Sequence, residues 1–171
     1  VMRPHVYAVM YAAQIPTSKA REFEVQIRAH IQNRDYQVYP VAEKSEKAES
    51  FPVFMVEPKD AQLLLGYDLN ANAFIQEALQ FALKTHSTAL SDAFSWPMEN
   101  GREELLSALI RPMPSLGGIA EKTFAVLFVR HGPLLENAHE KPYPNFYLEG
   151  TQQSVVLDLY EVKDKKYLLL A

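Results

Sequence analysis

Val6-Tyr-Ala-Val-Met-Tyr-Ala-Ala-Gln-Ile-Pro16 decides the fold class. It is rich in aromatic and β-branched residues and closes on a proline, which has no N–H to give to a ladder, so it predicts a strand. Behind it, Thr17 or Ser18 is placed to cap a helix whose apolar residues Ala20, Phe23, Ile27 and Ile31 recur at three- and four-residue steps, ending near Asn33-Arg34. Short strands are then expected at 36–41 and 51–56, with Pro58 ending the second and a mixed-charge, exposed loop at 43–50 between them. Gly66-Tyr-Asp-Leu-Asn70 reads as a turn. Asn70 or Asn72 caps a second helix with Phe74, Ile75, Ala78, Leu79, Ala82 and Leu83 as its buried stripe, stopping around Thr85-His86. Strands follow at 88–94, 104–111 and 123–131, the first two joined by a tight turn at Asn100-Gly101. A short helix at 133–140 and terminal strands at 154–162 and 167–170, joined by a charged turn at 163–165, complete the pattern. Two helices among hairpin-spaced strands predict an α+β fold, mostly antiparallel, with the covering helices gathered on one face. Met113-Pro-Ser-Leu-Gly-Gly118 reads as a seam that divides 1–113 from 114–171.

Composition narrows what such a fold can do. The chain has 171 residues, is 48% hydrophobic and 22% charged, and carries a formal net charge of -4. That is ordinary globular composition, without the basic footprint of a nucleic-acid binder. There is no cysteine, which excludes thiol catalysis and Cys-ligated zinc. No apolar run reaches the length of a membrane span, and no signal peptide is present. The start at Val1, two residues ahead of strand-like sequence, reads as that of an excised domain.

Catalytic signatures are scarce. His5, His30, His86, His131 and His139 are scattered, and the single Glu136-Asn-Ala-His139 spacing reads as a solvated helix face, since a di-iron bundle needs that motif twice. Neither a nucleophile elbow nor a glycine-rich phosphate loop occurs. The paired carboxylates, Glu103-Glu104 and Asp158 with Glu161, would need an apolar setting to act as acid and base. Apolar faces at 51–56, 74–83 and 104–111 can instead frame a small-ligand cavity or simply fill a core.

Phe51-Pro-Val-Phe-Met-Val-Glu-Pro58, then Leu64-Leu-Gly-Tyr-Asp-Leu69, then Glu77-Ala-Leu79, resembles the signature of the CHASE domain, the extracytoplasmic sensor of many membrane-bound histidine kinases and diguanylate cyclases and of plant cytokinin receptors. Residues 7–28 resemble its first strand and helix. Phe124-Ala-Val-Leu-Phe-Val-Arg130 with Leu134-Leu135 resembles a strand and helix start of its second lobe. The resemblance implies two PAS-like lobes behind a long N-terminal helix, here missing ahead of Val1. It also implies a homodimer formed through that helix, and ligand binding in the membrane-distal lobe, about 1–113. Counting without gaps from Asp68, the acidic residue that meets adenine in cytokinin receptors falls on Ile75. Two pocket threonines fall on Ser91 and on Ile110, two residues before Pro112. Where many members carry Thr-Gly after the helix, this chain has Thr85-His86. Beside Ile75 an adenine amino group would stay unpaired, at about 1–3 kcal/mol, so the expected ligand is not a cytokinin.

The resulting expectation is a non-enzymatic, periplasmic sensor domain of a membrane-anchored bacterial receptor, without cofactor or metal. It would relay binding of an unidentified small molecule to a cytoplasmic kinase or cyclic-di-GMP enzyme. The expected lining is Val53, Met55, Ile75, Ser91, Phe94 and Ile110, with Ser91 as the polar anchor. Leu79 and Leu83 are expected as core, and Asp68 as a turn cap. Two other classes stay open: a soluble α+β enzyme with carboxylates in a cleft, and a contact or dimerisation module that binds no small molecule.

Overall fold

The computed structural model describes residues 4–40, 49–98, 100–114, 120 and 122–133 and, as backbone, 160–163 and 166–169. In chain order the elements are β1 (Val6–Pro16), α1 (Ala20–Ile31), β2 (Glu49–Ser50), β3 (Val53–Glu57), α2 (Ala73–Thr85), β4 (Ala89–Leu90), β5 (Phe94–Pro97), β6 (Glu103–Met113), β7 (Lys122–Arg130), β8 (Tyr160–Lys163) and β9 (Lys166–Leu169). The fold is α+β, built on one curled antiparallel half-barrel. Its strand order is β2-β1-β7-β6-β4, with β3 also pairing β1 and β5 also pairing β6. β8 and β9 form a separate antiparallel hairpin.

Alternation along the long strands sorts side chains to two faces. Ala8, Met10 and Ala12 of β1 line up with Phe128, Val126 and Phe124 of β7, and Ala108 and Ile110 of β6 continue the row. With Ile75, Ala78, Leu79 and Ala82 of α2 they form the main buried cluster. Ala13 and Ile15 point to the opposite face, where Phe23 of α1 packs with Tyr36 and Val38. The helices therefore cover opposite faces, not one. The reason lies in β1, whose residues 12–15 are buried on both faces and give α1 a seat of its own.

Several expectations need correction. The expected seam at 113–118 joins two neighbouring strands of one sheet, paired up to Met113 opposite Thr123. β7, expected in a second lobe, is thus central to the first sheet, and among the described residues two PAS-like lobes are not seen. Residues 36–38 do not form a sheet strand, because their backbone is taken by helix side chains: Glu24 accepts from Val38 N–H (2.9 Å) and Arg28 donates to Tyr36 O (2.8 Å). Tyr39 then pairs with the 66–68 turn. Gly66 is required there, since its φ is +85° and a Cβ would lie 1.9 Å from Gln37 O. α1 lacks the expected Thr17 or Ser18 cap, as Thr17 Oγ1 instead meets Ser50 Oγ at 2.9 Å. Strand 51–56 begins at Val53, strand 88–94 is split into β4 and β5, and of the loop at 43–50 the last two residues form β2. Of the helix at 133–140, residues 134–140 lie outside the described residues, as do 41–48, 154–159 and the turn at 164–165. The Asn100-Gly101 turn is present, with Gly101 N–H bonded to Met98 O.

Candidate functional site

α2 is the lid of the main cluster, and its start is fixed by Asn72, whose Oδ1 accepts from Phe74 N–H (3.0 Å) and Ile75 N–H (3.2 Å). That registration turns Ile75, Ala78, Leu79 and Ala82 to the sheet. It leaves Phe74, expected in the stripe, 43% exposed, and Leu83 half-buried against the cluster.

Of the six expected lining residues, Val53 (β3), Ile75 (α2), Phe94 (β5) and Ile110 (β6) come together in this cluster. Ser91 lies beside it, but its hydroxyl donates to Asp92 O and accepts from Ala108 N–H, both at 2.8 Å. Its one proton therefore holds the backbone between β4 and β5, leaving a single lone pair for anything else. Met55 does not join the others. The register slips between Tyr11 and Ala12, which face Met55 and Val53, so the bulge at Phe54 breaks the alternation and leaves Met55 49% exposed.

An aromatic ladder missed in the sequence runs into the same cluster. Tyr39 meets Tyr67 (5.8 Å between ring centroids), Tyr67 meets Trp96 (5.2 Å), and Trp96 meets Phe94 (6.3 Å) and Phe128 (5.8 Å), all edge-on. Tyr39 is exposed, Tyr67 and Trp96 are half-buried, and Phe94 and Phe128 are buried. The lone tryptophan was the available signal. The burial that makes it count is tertiary.

A polar knot borders the cluster where β1, β2 and the 68–72 turn meet. Asp68, nearly fully buried, accepts from Phe51 N–H (2.8 Å) and Asn70 N–H (3.0 Å), as expected of a turn cap. Burial raises its carboxyl above the ordinary carboxylate range, against the pull of those bonds and of Ser50. Gln14 donates to Glu49 Oε1 (2.8 Å) and Asn70 donates to Glu49 O (3.1 Å). Tyr36 donates its hydroxyl to Val53 O (3.1 Å), and burial, then the charges of Glu24 and Asp68, push its ionisation upward.

Of the two candidate acid–base pairs, Asp158 and the Glu161 side chain lie outside the described residues, and the Glu103-Glu104 carboxyls are engaged in other bonds. Glu104 is ion-paired with Arg130, and Glu103 accepts from Ser95 (2.6 Å). Glu104 and Arg130 are partly exposed, and Glu103 is exposed. His131, buried, shares a 2.9 Å hydrogen bond with Ser107, and burial lowers its basicity. Among the described residues no group of three His, Asp or Glu could hold a metal ion.

The CHASE domain family matches residues 2–113, more than half of the chain. The chain belongs to that family. No curated protein matches it. CHASE domains are extracytoplasmic sensor domains of signalling receptors, bind small ligands and are not themselves catalytic. The matched region holds α2, its cap and every element that supplies the expected lining. Among the described residues, no helix is long and apolar enough to cross a membrane.

Proposed function

We propose that this CHASE domain is the periplasmic sensor of a membrane-anchored bacterial receptor, and that its small-molecule ligand binds between the sheet and α2. The observation that carries this reading is the convergence of Val53, Phe94 and Ile110, from three strands, with Ile75 on the underside of one capped helix. These side chains have almost no exposed surface. A molecule seated among them therefore has to part α2 from the sheet, and the parting is the movement a receptor can relay. The Tyr39–Tyr67–Trp96 rings offer the route in, because rings slide and tilt at smaller cost than a ladder of strands opens. A ligand biases the two helix positions only by its difference in affinity for them.

Isoleucine at position 75 favours an apolar ligand surface there, and a cytokinin stays disfavoured. Met55 is no part of the proposed lining in this arrangement, and Ser91 contributes one acceptor at most. The chain beyond Pro133 is proposed to belong to the membrane-proximal lobe, with dimer contacts through a helix ahead of the sheet. The output is proposed to be a cytoplasmic histidine kinase or cyclic-di-GMP enzyme.

A thermal-shift screen of diverse metabolites tests the reading, since a binder at a hundred times its dissociation constant adds about 2.7 kcal/mol. The site is then read from isoleucine methyl resonances. Binding beneath α2 moves Ile75 and Ile110 and spares Ile15, Ile27 and Ile31, which lie with α1. Shifts confined to the α1 group would refute the proposed site.

A further inference from the structure

The polar knot holds two amide side chains that are each only half satisfied. Gln14, 6% exposed, and Asn70, half-buried, both donate from their NH2 groups to Glu49, one to the carboxylate and one to the backbone carbonyl. Their oxygens, Gln14 Oε1 and Asn70 Oδ1, are buried and accept no hydrogen bond among the described residues. Turning either amide over does not help, since its oxygen would then face an oxygen of Glu49 and its donors would be orphaned instead. Lys122 stands opposite Gln14 in the β1–β7 ladder and bonds to neither oxygen.

We infer that Gln14 Oε1, Asn70 Oδ1 and the Glu49 carboxylate form an acceptor site for a primary ammonium group of a small molecule. An ammonium supplies three N–H donors and one positive charge, which matches two neutral acceptors and one carboxylate. A calcium ion asks for six to eight oxygens, more than these side chains bring. A water would satisfy an amide oxygen but brings no positive charge to the carboxylate. The site lies at the β1–β2–turn junction and not under α2, so it stands independently of the proposed pocket.

The test titrates the domain with ethylammonium chloride and, at equal ionic strength, with tetramethylammonium chloride, which has no N–H. Side-chain amide resonances of Gln14 and Asn70 are followed together with the unfolding midpoint. The expected result is saturable movement of both amides by ethylammonium alone, with a midpoint rise of about 3–6 °C at ten times the dissociation constant. Gln14→Leu should weaken binding at least tenfold, and Asn70→Ala serves if that variant does not fold. Equal responses to the two salts, or none to either, overturn the inference and leave the oxygens to water. Methyl shifts at Ile75 and Ile110 without amide shifts would also overturn it while leaving the α2 pocket intact; amide shifts without methyl shifts support the ammonium site and leave that pocket to its own screen.

Discussion

The core beneath α2 and the polar knot around Asp68 are neighbours, joined through Phe51 and Leu69, yet they are held by opposite kinds of force. In the core, position matters less than volume: Ala8, Met10, Ala12, Ile75, Leu106, Ile110 and Phe124 are all without exposed surface, and none has a directional side-chain bond to satisfy. In the knot, direction is everything, because Asp68, Ser50, Gln14 and Asn70 each need a partner at a specific angle. The core tolerates chemistry and resists vacancy. The knot tolerates little chemistry, and its tolerance differs from residue to residue.

The largest effect should come from vacating the core. Phe128 is fully buried between Phe94 (5.5 Å) and Trp96 (5.8 Å). Phe128→Ala is expected to destabilise by about 3–5 kcal/mol in urea unfolding, from lost transfer energy and the cavity it leaves. A loss below about 1 kcal/mol would mean that the ladder can collapse into the gap, and that this side of the core is softer than its burial implies.

Next comes Asp68. Asp68→Ala strips the Phe51 and Asn70 N–H groups of their acceptor, with an expected loss of about 2–3 kcal/mol. Asp68→Asn keeps an acceptor and cannot ionise. A carboxyl held above its ordinary range binds its proton more tightly in the folded state than in the unfolded one. The wild-type domain therefore loses stability as pH rises from the unfolded carboxylate range through the folded value. The difference between Asp68→Asn and wild type should accordingly grow in favour of the variant over that window, as read by urea midpoints at successive pH. A difference independent of pH would show that the bonds from Phe51 and Asn70 offset burial, and one that shrinks as pH rises would show that they outweigh it.

The contrast also explains what the sequence disclosed. The core was legible because it is written in periodicity: Ile75, Ala78, Leu79 and Ala82 follow helical spacing, and β1, β6 and β7 alternate. The turn cap at Asp68 was legible too, since a local bond needs only a local motif. Met55 was misplaced because a bulge is a property of two strands, and the slip opposite Tyr11 leaves no mark in the Phe51–Pro58 run. The seam at 113–118 was misread for a similar reason, as proline and glycine mark a change of direction whether the chain leaves a domain or only a strand. The extended 36–38 segment had strand-like composition, and nothing local foretold that Glu24 and Arg28 would take its backbone groups. Gln14, Glu49 and Asn70 are far apart in the chain, so no motif could gather them.

A smaller effect is expected where knot and core share a residue. Asn72 belongs to the polar turn, yet it sets the start of the lid. Asn72→Ala should cost about 1 kcal/mol. Amide exchange should accelerate at Phe74 and Ile75 before the rest of α2, and uniform acceleration along the helix would mean that packing, not the cap, fixes its beginning.

The smallest effect should come from Gln14, and it sharpens the comparison most. Gln14 is as polar as Asp68 and almost as buried, but its one side-chain bond among the described residues is to Glu49, which is half-buried and can turn to water. Its carbonyl is already without a partner, so the folded protein bears that burden before any substitution. Gln14→Leu removes the orphan and adds apolar contact beside β7, so its stability should stay within about 0.5 kcal/mol of wild type or rise slightly. Asp68→Ala creates orphans and Gln14→Leu removes one, which is why two substitutions in the same knot should differ in sign or nearly so. If Gln14→Leu instead unfolds the domain as readily as Asp68→Ala, then the Glu49 contact carries more than one ordinary bond, and the knot is a single cooperative network and not a set of separable partners.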